Sequence, residues 1–322
     1  METVLLDIRN LVKHYVVGSD LLLGRRGVVR AVDGVSLIVR RGETLGLVGE
    51  SGCGKTTLGR LIMRLEEPSK GEIYFNGEDT LSYSGKKLKE FRRNVQLIFQ
   101  DPYMSLNPRK SAGSIIGEPF LVHEMAAGKE LRRKTAELME TVGLTGEQID
   151  RYPHEFSGGQ RQRIGIARSL ALNPDLIIAD EPVSALDVSI QAQILNLLKK
   201  LQHDFTLTYI FISHDLRVIG HMSDRIAVMY LGKIVELSDR AAVFARPFHP
   251  YTEALLSAIP SPDPAVKKTR IILKGDIPSP IAPPAGCPFH PRCPYRMDIC
   301  ESVEPALEEK ENGRLAACHL KR

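Results

Sequence analysis

The 322-residue sequence has no tryptophan, and aromatic residues make up only 6% of it. No apolar run approaches the roughly 20 residues needed to cross a bilayer, so a membrane span would have to come from another subunit. Met1-Glu2-Thr3-Val4 lacks the basic-then-apolar pattern of a secretion signal. The expected location is therefore cytosolic, or peripheral through a partner. No long Lys/Arg block is present and the formal net charge is only +4, so charge alone does not point to nucleic acid. Internal repeats, low-complexity runs and heptad stretches are missing as well. Cysteine is nearly absent until the end: Cys53 stands alone, then Cys287, Cys293, Cys300 and Cys318 crowd into the last 36 residues. What remains, 43% hydrophobic and 25% charged, is ordinary for a globular protein, and the length allows about two domains.

The stretch Gly49-Glu50-Ser51-Gly52-Cys53-Gly54-Lys55-Thr56 fits G-x-x-x-x-G-K-[ST], a phosphate-binding loop. An apolar run, Thr44 to Val48, precedes it as a buried strand, and a helix is expected from Thr57 to Met63. Glycines let backbone N–H groups curl around phosphate oxygens, and a helix N-terminus adds partial positive charge. In this reading Lys55 reaches the β- and γ-phosphates and Thr56 ligates Mg²⁺.

Around the loop, alternating segments at residues 3–12 and 31–39 read as strands, with Tyr15 past the end of the first and residues 16–30 as a loop. Further strands are expected at 72–77, 95–99, 176–179 and 208–212. From about 110 to 172 the period is helical: residues 130–142 place Leu131, Leu138, Met139 and Val142 near one face, and Ser157-Gly158-Gly159 opens another helix. Residues 190–203 put Ile194, Leu197, Leu198 and Leu201 on one stripe. Alternating strands and helices argue an α/β fold with a parallel, helix-covered sheet, into which the 110–172 block is inserted. After about Arg246, 12 of the 20 prolines fall between Pro247 and Pro294, so regular elements there must be short.

Leu176-Ile177-Ile178-Ala179-Asp180-Glu181 is an apolar strand ending in two carboxylates. Asp180 suits Mg²⁺ held through water, and Glu181 can polarise an attacking water. Ser157-Gly158-Gly159-Gln160 is a second glycine-rich helix start and so a second candidate anion site. One chain has no obvious use for two such sites on one triphosphate, whereas two chains facing head-to-tail do. Taken singly, each motif has a plainer reading: Ser157 or Asp187 as a helix cap, Tyr15 as a core aromatic, Gln100 as a strand end, His214 as a polar residue after a buried strand.

With these motifs in order, Leu5 to about Phe244 closely resembles the ATP-binding cassette (ABC) ATPases. The resemblance implies a RecA-like parallel-sheet core, an N-terminal antiparallel β subdomain and an inserted helical subdomain. It gives each position a role. Tyr15 would stack on adenine, and Gly49 to Thr56, with Thr57, would bind phosphate. Gln100 would sense Mg²⁺ and the attacking water. Ser157, Gly158, Gly159 and Gln160 would form the signature motif, with Phe156 where Leu is frequent. Asp180 would serve Mg²⁺ together with Thr56 and Gln100. Glu181 would be the catalytic carboxylate, Asp187 would end the D-loop begun at Ser184, and His214 would contact the γ-phosphate. Val183 stands where Thr is frequent, a departure that touches no catalytic atom.

The C-terminal cysteines are spaced C-x5-C-x6-C-x17-C. This lacks the C-x2-C knuckle of common zinc modules and the tight ferredoxin run. The spacing leaves zinc and an iron–sulfur cluster both open, with His290 and His319 as weaker candidate ligands. The residues from Gly275 to Pro280, from Gly286 to Pro294, and around Cys300 and Cys318 resemble the C-terminal region of oligopeptide/dipeptide importer ATPases, and residues 17–30 resemble that branch's loop. The resemblance implies a [4Fe-4S] cluster on Cys287, Cys293, Cys300 and Cys318, and domains at 1–246 and 247–322. It also implies a second, different ATPase subunit, two membrane permeases, an extracytoplasmic peptide-binding protein, and a place on the cytoplasmic side of the membrane. Relatives in this branch import dipeptides, oligopeptides, nickel or glutathione. A soluble cassette acting on nucleic acid or ribosomes is the rival. Such relatives usually carry two cassettes or a long coiled coil, and direct nucleic-acid binding is not expected here.

Overall fold

Alternating apolar residues open the chain in the computed structural model, which describes residues 3–18, 27–259 and 270–320. β1 (Val4–Val17) and β2 (Gly27–Arg40) form a long antiparallel pair, with Leu6, Ile8 and Leu11 turned to the core. Both strands run further than expected. Val16 pairs with Val28 and Val17 with Gly27, so Tyr15 lies inside a strand. Residues 19–26 of the expected loop lie outside the described residues. β3 (Thr44–Val48) is buried along its whole length, as a strand covered on both faces must be. It leads through the glycine loop to α1 (Lys55–Ile62), which starts two residues earlier than expected. β4 (Lys70–Phe75) and β5 (Glu78–Asp79) complete an antiparallel sheet in the order β2-β1-β4-β5.

The next segment runs α2 (Gly85–Asn94), β6 (Val95–Ile98), α3 (Ala112–Val122), α4 (Gly128–Thr141), α5 (Gly158–Leu170), β7 (Leu176–Asp180), α6 (Val188–Phe205) and β8 (Thr208–Ser213). β7 pairs in parallel with β6 and, on its other side, neighbours β8. The inserted helical block is thus α3 to α5. In α6, Ile194, Leu195, Leu198 and Leu201 are buried, the stripe its 3.6-residue period dictates.

The chain closes with α7 (Leu216–Met222), β9 (Arg225–Tyr230), β10 (Lys233–Asp239), α8 (Arg240–Ala245), α9 (Pro250–Ser257), α10 (Ile299–Ser302), β11 (Glu308–Glu311) and β12 (Arg314–Ala316). β3 pairs in parallel with β9, β9 antiparallel with β10, and β10 with β12. The C-terminal region is therefore not wholly irregular. Its last hairpin extends a sheet, with Glu236 opposite Ala316 and Leu237 opposite Leu315. The structure divides into two compact units, one of residues 1–40, 44–81 and 212–322, the other of 41–43 and 82–211. No helix among the described residues is long and apolar enough to cross a membrane.

Candidate functional site

The glycine loop is built between a fully buried strand and the start of α1. Gly54 sits at φ +106°, and a Cβ there would lie 2.0 Å from the Ala31 carbonyl oxygen, so only glycine fits. Lys55 is buried, and its ammonium donates to the carbonyls of Gly49 (2.8 Å) and Glu50 (3.0 Å) and to Cys53 Sγ (3.7 Å). Burial pushes the Cys53 thiol up, against the pull of Lys55. Cys53 is thus packed within the loop itself. Ser51, Gly52 and Thr56 are exposed and Thr57 half-buried, leaving the outer side of the loop open to a ligand. The half-buried Tyr15 donates its hydroxyl to the Glu66 carboxylate, and Lys13 stands 5.0 Å from its ring centroid. His214 is exposed just beyond β8.

In the other unit, Asp180 ends β7 with 9% of its surface exposed. Glu181 follows at φ +46°, a left-handed conformation that costs a residue with a side chain and persists only where the surroundings impose it. Gln100 Nε2 donates to Glu181 Oε2 at 3.0 Å, so two of the expected site residues meet directly. Ser157 caps α5. Its Oγ accepts from Gln160 N (3.3 Å), and Gln160 Oε1 accepts from Ser157 N (3.0 Å). That reciprocal box fixes the helix start. Gly159 lets α5 approach α6, since a Cβ there would meet Ile190 Cγ2 at 2.5 Å. Asp187 occupies the N-cap position of α6 without a side-chain cap bond. The segment after Gln100 is pinned to α5: Arg168 donates to Ser105 O (2.9 Å), and Arg161 lies 4.0 Å from the Tyr103 ring centroid.

The C-terminal thiols are drawn together without closing on one point. Cys287 and Cys300 are buried, Cys293 and Cys318 half-buried. Burial first, then the nearby Cys300, Cys318 and Cys293, push the Cys287 thiol up to about 11. Among the described residues, however, no group of three or more His, Cys, Asp or Glu is placed to hold a metal ion. The expected cluster region is accordingly a segment of converging soft donors rather than an assembled metal site. The histidines are turned elsewhere: a ring nitrogen of His290 meets Cys287 O and one of His319 meets Val303 O, both at 2.9 Å.

The family model described as "ABC transporter" matches residues 32–184, and that described as "Oligopeptide/dipeptide transporter, C-terminal region" matches residues 235–300. The oligopeptide transport ATP-binding protein AppF of Bacillus subtilis is 54% identical over 99% of this chain and 98% of its own length. The dipeptide transport ATP-binding protein DppF of Haemophilus influenzae is 51% identical over 98% and 96%. This chain belongs to the ATP-binding proteins of oligopeptide and dipeptide ABC transporters. Among solved structures, the ATP-binding cassette MJ0796, as a dimer in a post-hydrolysis state with ADP and Pi, covers 73% of this chain and 98% of its own. The match has 30% identity and a TM-score of 0.65.

Three features of this ABC ATPase escaped the sequence. Arg292 forms a two-pronged ion pair with Glu50 of the phosphate loop, Nη1 to Oε2 at 2.7 Å and Nη2 to Oε1 at 3.1 Å. Glu50 N donates to Tyr251 Oη at 2.8 Å. Glu181 is held in its left-handed conformation. The first two span 242 and 201 residues of sequence, and no local pattern announces them.

Proposed function

We propose that this chain is the ATP-hydrolysing subunit of an importer for di- or oligopeptides, with the cassette in residues 1–246 and the C-terminal region in 247–322. One observation carries the reading: Lys55 opens α1 after the glycine loop, and Glu181, just past β7, is bonded to Gln100. The loop from Gly49 to Thr56 binds the phosphates and Tyr15 stacks on the base. Thr56, Asp180 and Gln100 hold Mg²⁺, which would neutralise charge on the transferred phosphoryl group. Glu181 orients the attacking water and His214 meets the γ-phosphate. Two cassettes pair head-to-tail, so that Ser157, Gly159 and the D-loop ending at Asp187 complete the partner's nucleotide site. The partner is a different ATPase subunit. The pair works on the cytoplasmic side against two permeases, which a binding protein supplies with peptide. Tyr103 and Met104, exposed at 60% and 85% beside the Gln100 segment, are suited to meet the permeases. Cys287, Cys293, Cys300 and Cys318 are the donors for a [4Fe-4S] cluster, with zinc as the alternative. Their convergence supports this, and iron and sulfide assayed after anaerobic purification test it.

The test of the activity is Glu181→Gln in the assembled transporter. Turnover should fall by about 10²–10⁴-fold while ATP stays bound, since a positioned acid–base group contributes about that much. Near-normal hydrolysis would sink the assignment. Stimulation of the wild-type ATPase by peptide, against nickel or glutathione, separates the substrate classes. Stimulation by nucleic acid would favour the soluble rival.

A further inference from the structure

We propose that Arg292 is a positioning residue for the phosphate loop, through which the C-terminal cysteine segment sets the affinity of the ATP site. The inference rests on the reading of Gly49–Thr56 as the phosphate site.

Glu50 is an awkward residue at the second position of a loop meant for polyphosphate, because its carboxylate repels the ligand. Arg292 cancels that charge with the paired geometry only a guanidinium provides. The pair is sheltered, with the Arg292 side chain 8% exposed and that of Glu50 26%. Glu50 is in fact held at three points: its carboxylate by Arg292, its N–H by Tyr251 Oη, and its carbonyl by the Lys55 ammonium. Lys55 is the residue that must reach phosphate, so fixing Glu50 also fixes what Lys55 exchanges against.

Arg292 is in turn placed by the cysteine segment. It ends the short 3-10 turn His290–Arg292, one residue before Cys293. His290 N donates to Cys287 O (3.0 Å), Arg292 N to Phe289 O (3.0 Å), and Cys287 N to Cys300 O (2.9 Å). Phe289 is 1% exposed and packs on Tyr230 and Tyr251 with ring centroids 5.3 and 5.4 Å apart. A displacement of the cysteine segment therefore moves the guanidinium that balances the loop.

The experiment measures ATP binding by the full-length chain with a fluorescent ATP analogue, and KM and kcat of hydrolysis by the assembled transporter. Arg292→Gln should weaken ATP binding and raise KM by about tenfold or more, the worth of a charge-assisted pair, while kcat at saturating ATP changes little. Arg292→Lys should fall between, because an ammonium cannot make both bonds. The double variant Glu50→Gln/Arg292→Gln should bind ATP better than Arg292→Gln alone, since no unpaired carboxylate is left. If Arg292→Gln does not fold, the Lys variant carries the test through the same split of KM from kcat. Folded Arg292 variants with wild-type ATP affinity overturn the proposal, as does a double variant no better than the single one. Lys55→Ala binding ATP normally would instead overturn the reading of the loop, whatever Arg292 does.

Discussion

Tyr251→Phe isolates one hydrogen bond at the back of the phosphate loop. The tyrosine is fully buried in α9, with ring centroids of Tyr230 and Phe289 4.7 and 5.4 Å from its own. Phenylalanine keeps that packing and removes only the hydroxyl oxygen that accepts from Glu50 N. The Glu50 N–H is then left without its partner, at about 1–3 kcal/mol for a buried donor. Because Glu50 is half-buried, the lower part of that range applies, about 1–2 kcal/mol. At roughly 2–4 °C per kcal/mol for a chain of this size, Tm should drop by about 2–8 °C.

The pH dependence gives a second signature. Burial raises the Tyr251 hydroxyl well above its ordinary value of 10.0, so in the folded protein it stays neutral. Below pH 10 neither folded nor unfolded protein ionises it, and the bond counts in full. Above pH 10 the unfolded chain loses this proton, which favours unfolding. Wild type should then lose stability that Tyr251→Phe does not, and the two curves converge. Tyr209→Phe is the control. It also removes a buried hydroxyl, one that donates to Leu198 O at 3.3 Å, but nothing in the loop depends on it. Thermal denaturation followed with and without MgATP reads both effects, and only the Tyr251 variant should shrink the stabilisation by MgATP. Identical melting curves for Tyr251→Phe and wild type across pH 7 to 11 would refute the reasoning.

Gly54→Ala should abolish ATP binding while leaving most secondary structure in place, because its Cβ collides with the Ala31 carbonyl and the backbone must leave φ +106°; equilibrium nucleotide binding and far-UV circular dichroism check the two halves. Asp33→Asn should cost about 1 kcal/mol near neutral pH, a typical upper value for a partly exposed ion pair. Asp33 holds His14 (3.0 Å) and Lys233 (3.3 Å). Burial opposes its charge, but these partners prevail and lower its pKa below 3.8. A lowered carboxylate stabilises above that ordinary value and loses the contribution as pH falls through the folded one. The difference in urea midpoint between variant and wild type should therefore close in acid.

The nucleotide loop was legible because its requirements are local: a buried apolar strand, glycines at fixed spacing, then a helix. The same holds for α5, whose Ser157–Gln160 box is four consecutive residues. Elements failed to announce themselves where a partner strand, rather than the segment's own residue pattern, makes them. Glu308 to Glu311 is a run of exposed charges, with no alternation to mark a strand, and it becomes one only because β12 lies beside it. Val16 and Val28 looked like loop because their cross-strand partners, not their neighbours in sequence, make the strand, and both remain exposed. α2 has Phe91 as its one buried residue, and with Leu88 as its only other apolar side chain it reads as a charged surface stretch rather than an element. The cysteine spacing pointed to a metal, yet the segment's clearest structural output is Arg292, a residue between two cysteines that carries no signal of its own.

A proline-rich tail cannot hold itself by backbone ladders, so its anchors must be side chains and its far end, and both lead back to the loop. Arg292 grips it directly through Glu50, and Phe289 indirectly, by packing on Tyr251. The far end acts through β10. β12 pairs at Glu236, whose buried carboxylate accepts from Phe248 N and His249 N, each at 2.9 Å. Those two residues lead straight into α9, and His249 caps it through Nδ1, which accepts from Tyr251 N at 3.1 Å. Burial raises the Glu236 pKa against the pull of these N–H groups, and Arg314 on β12 lies over the Phe248 ring at 3.8 Å. The path from the last hairpin thus runs through Glu236 and His249 to Tyr251, and from Tyr251 to the N–H of Glu50. A tail tied to the loop directly at Arg292 and indirectly through Tyr251 is placed to hold the loop's shape, which is why disturbing it should register first as a change in ATP affinity rather than in the rate of the chemical step.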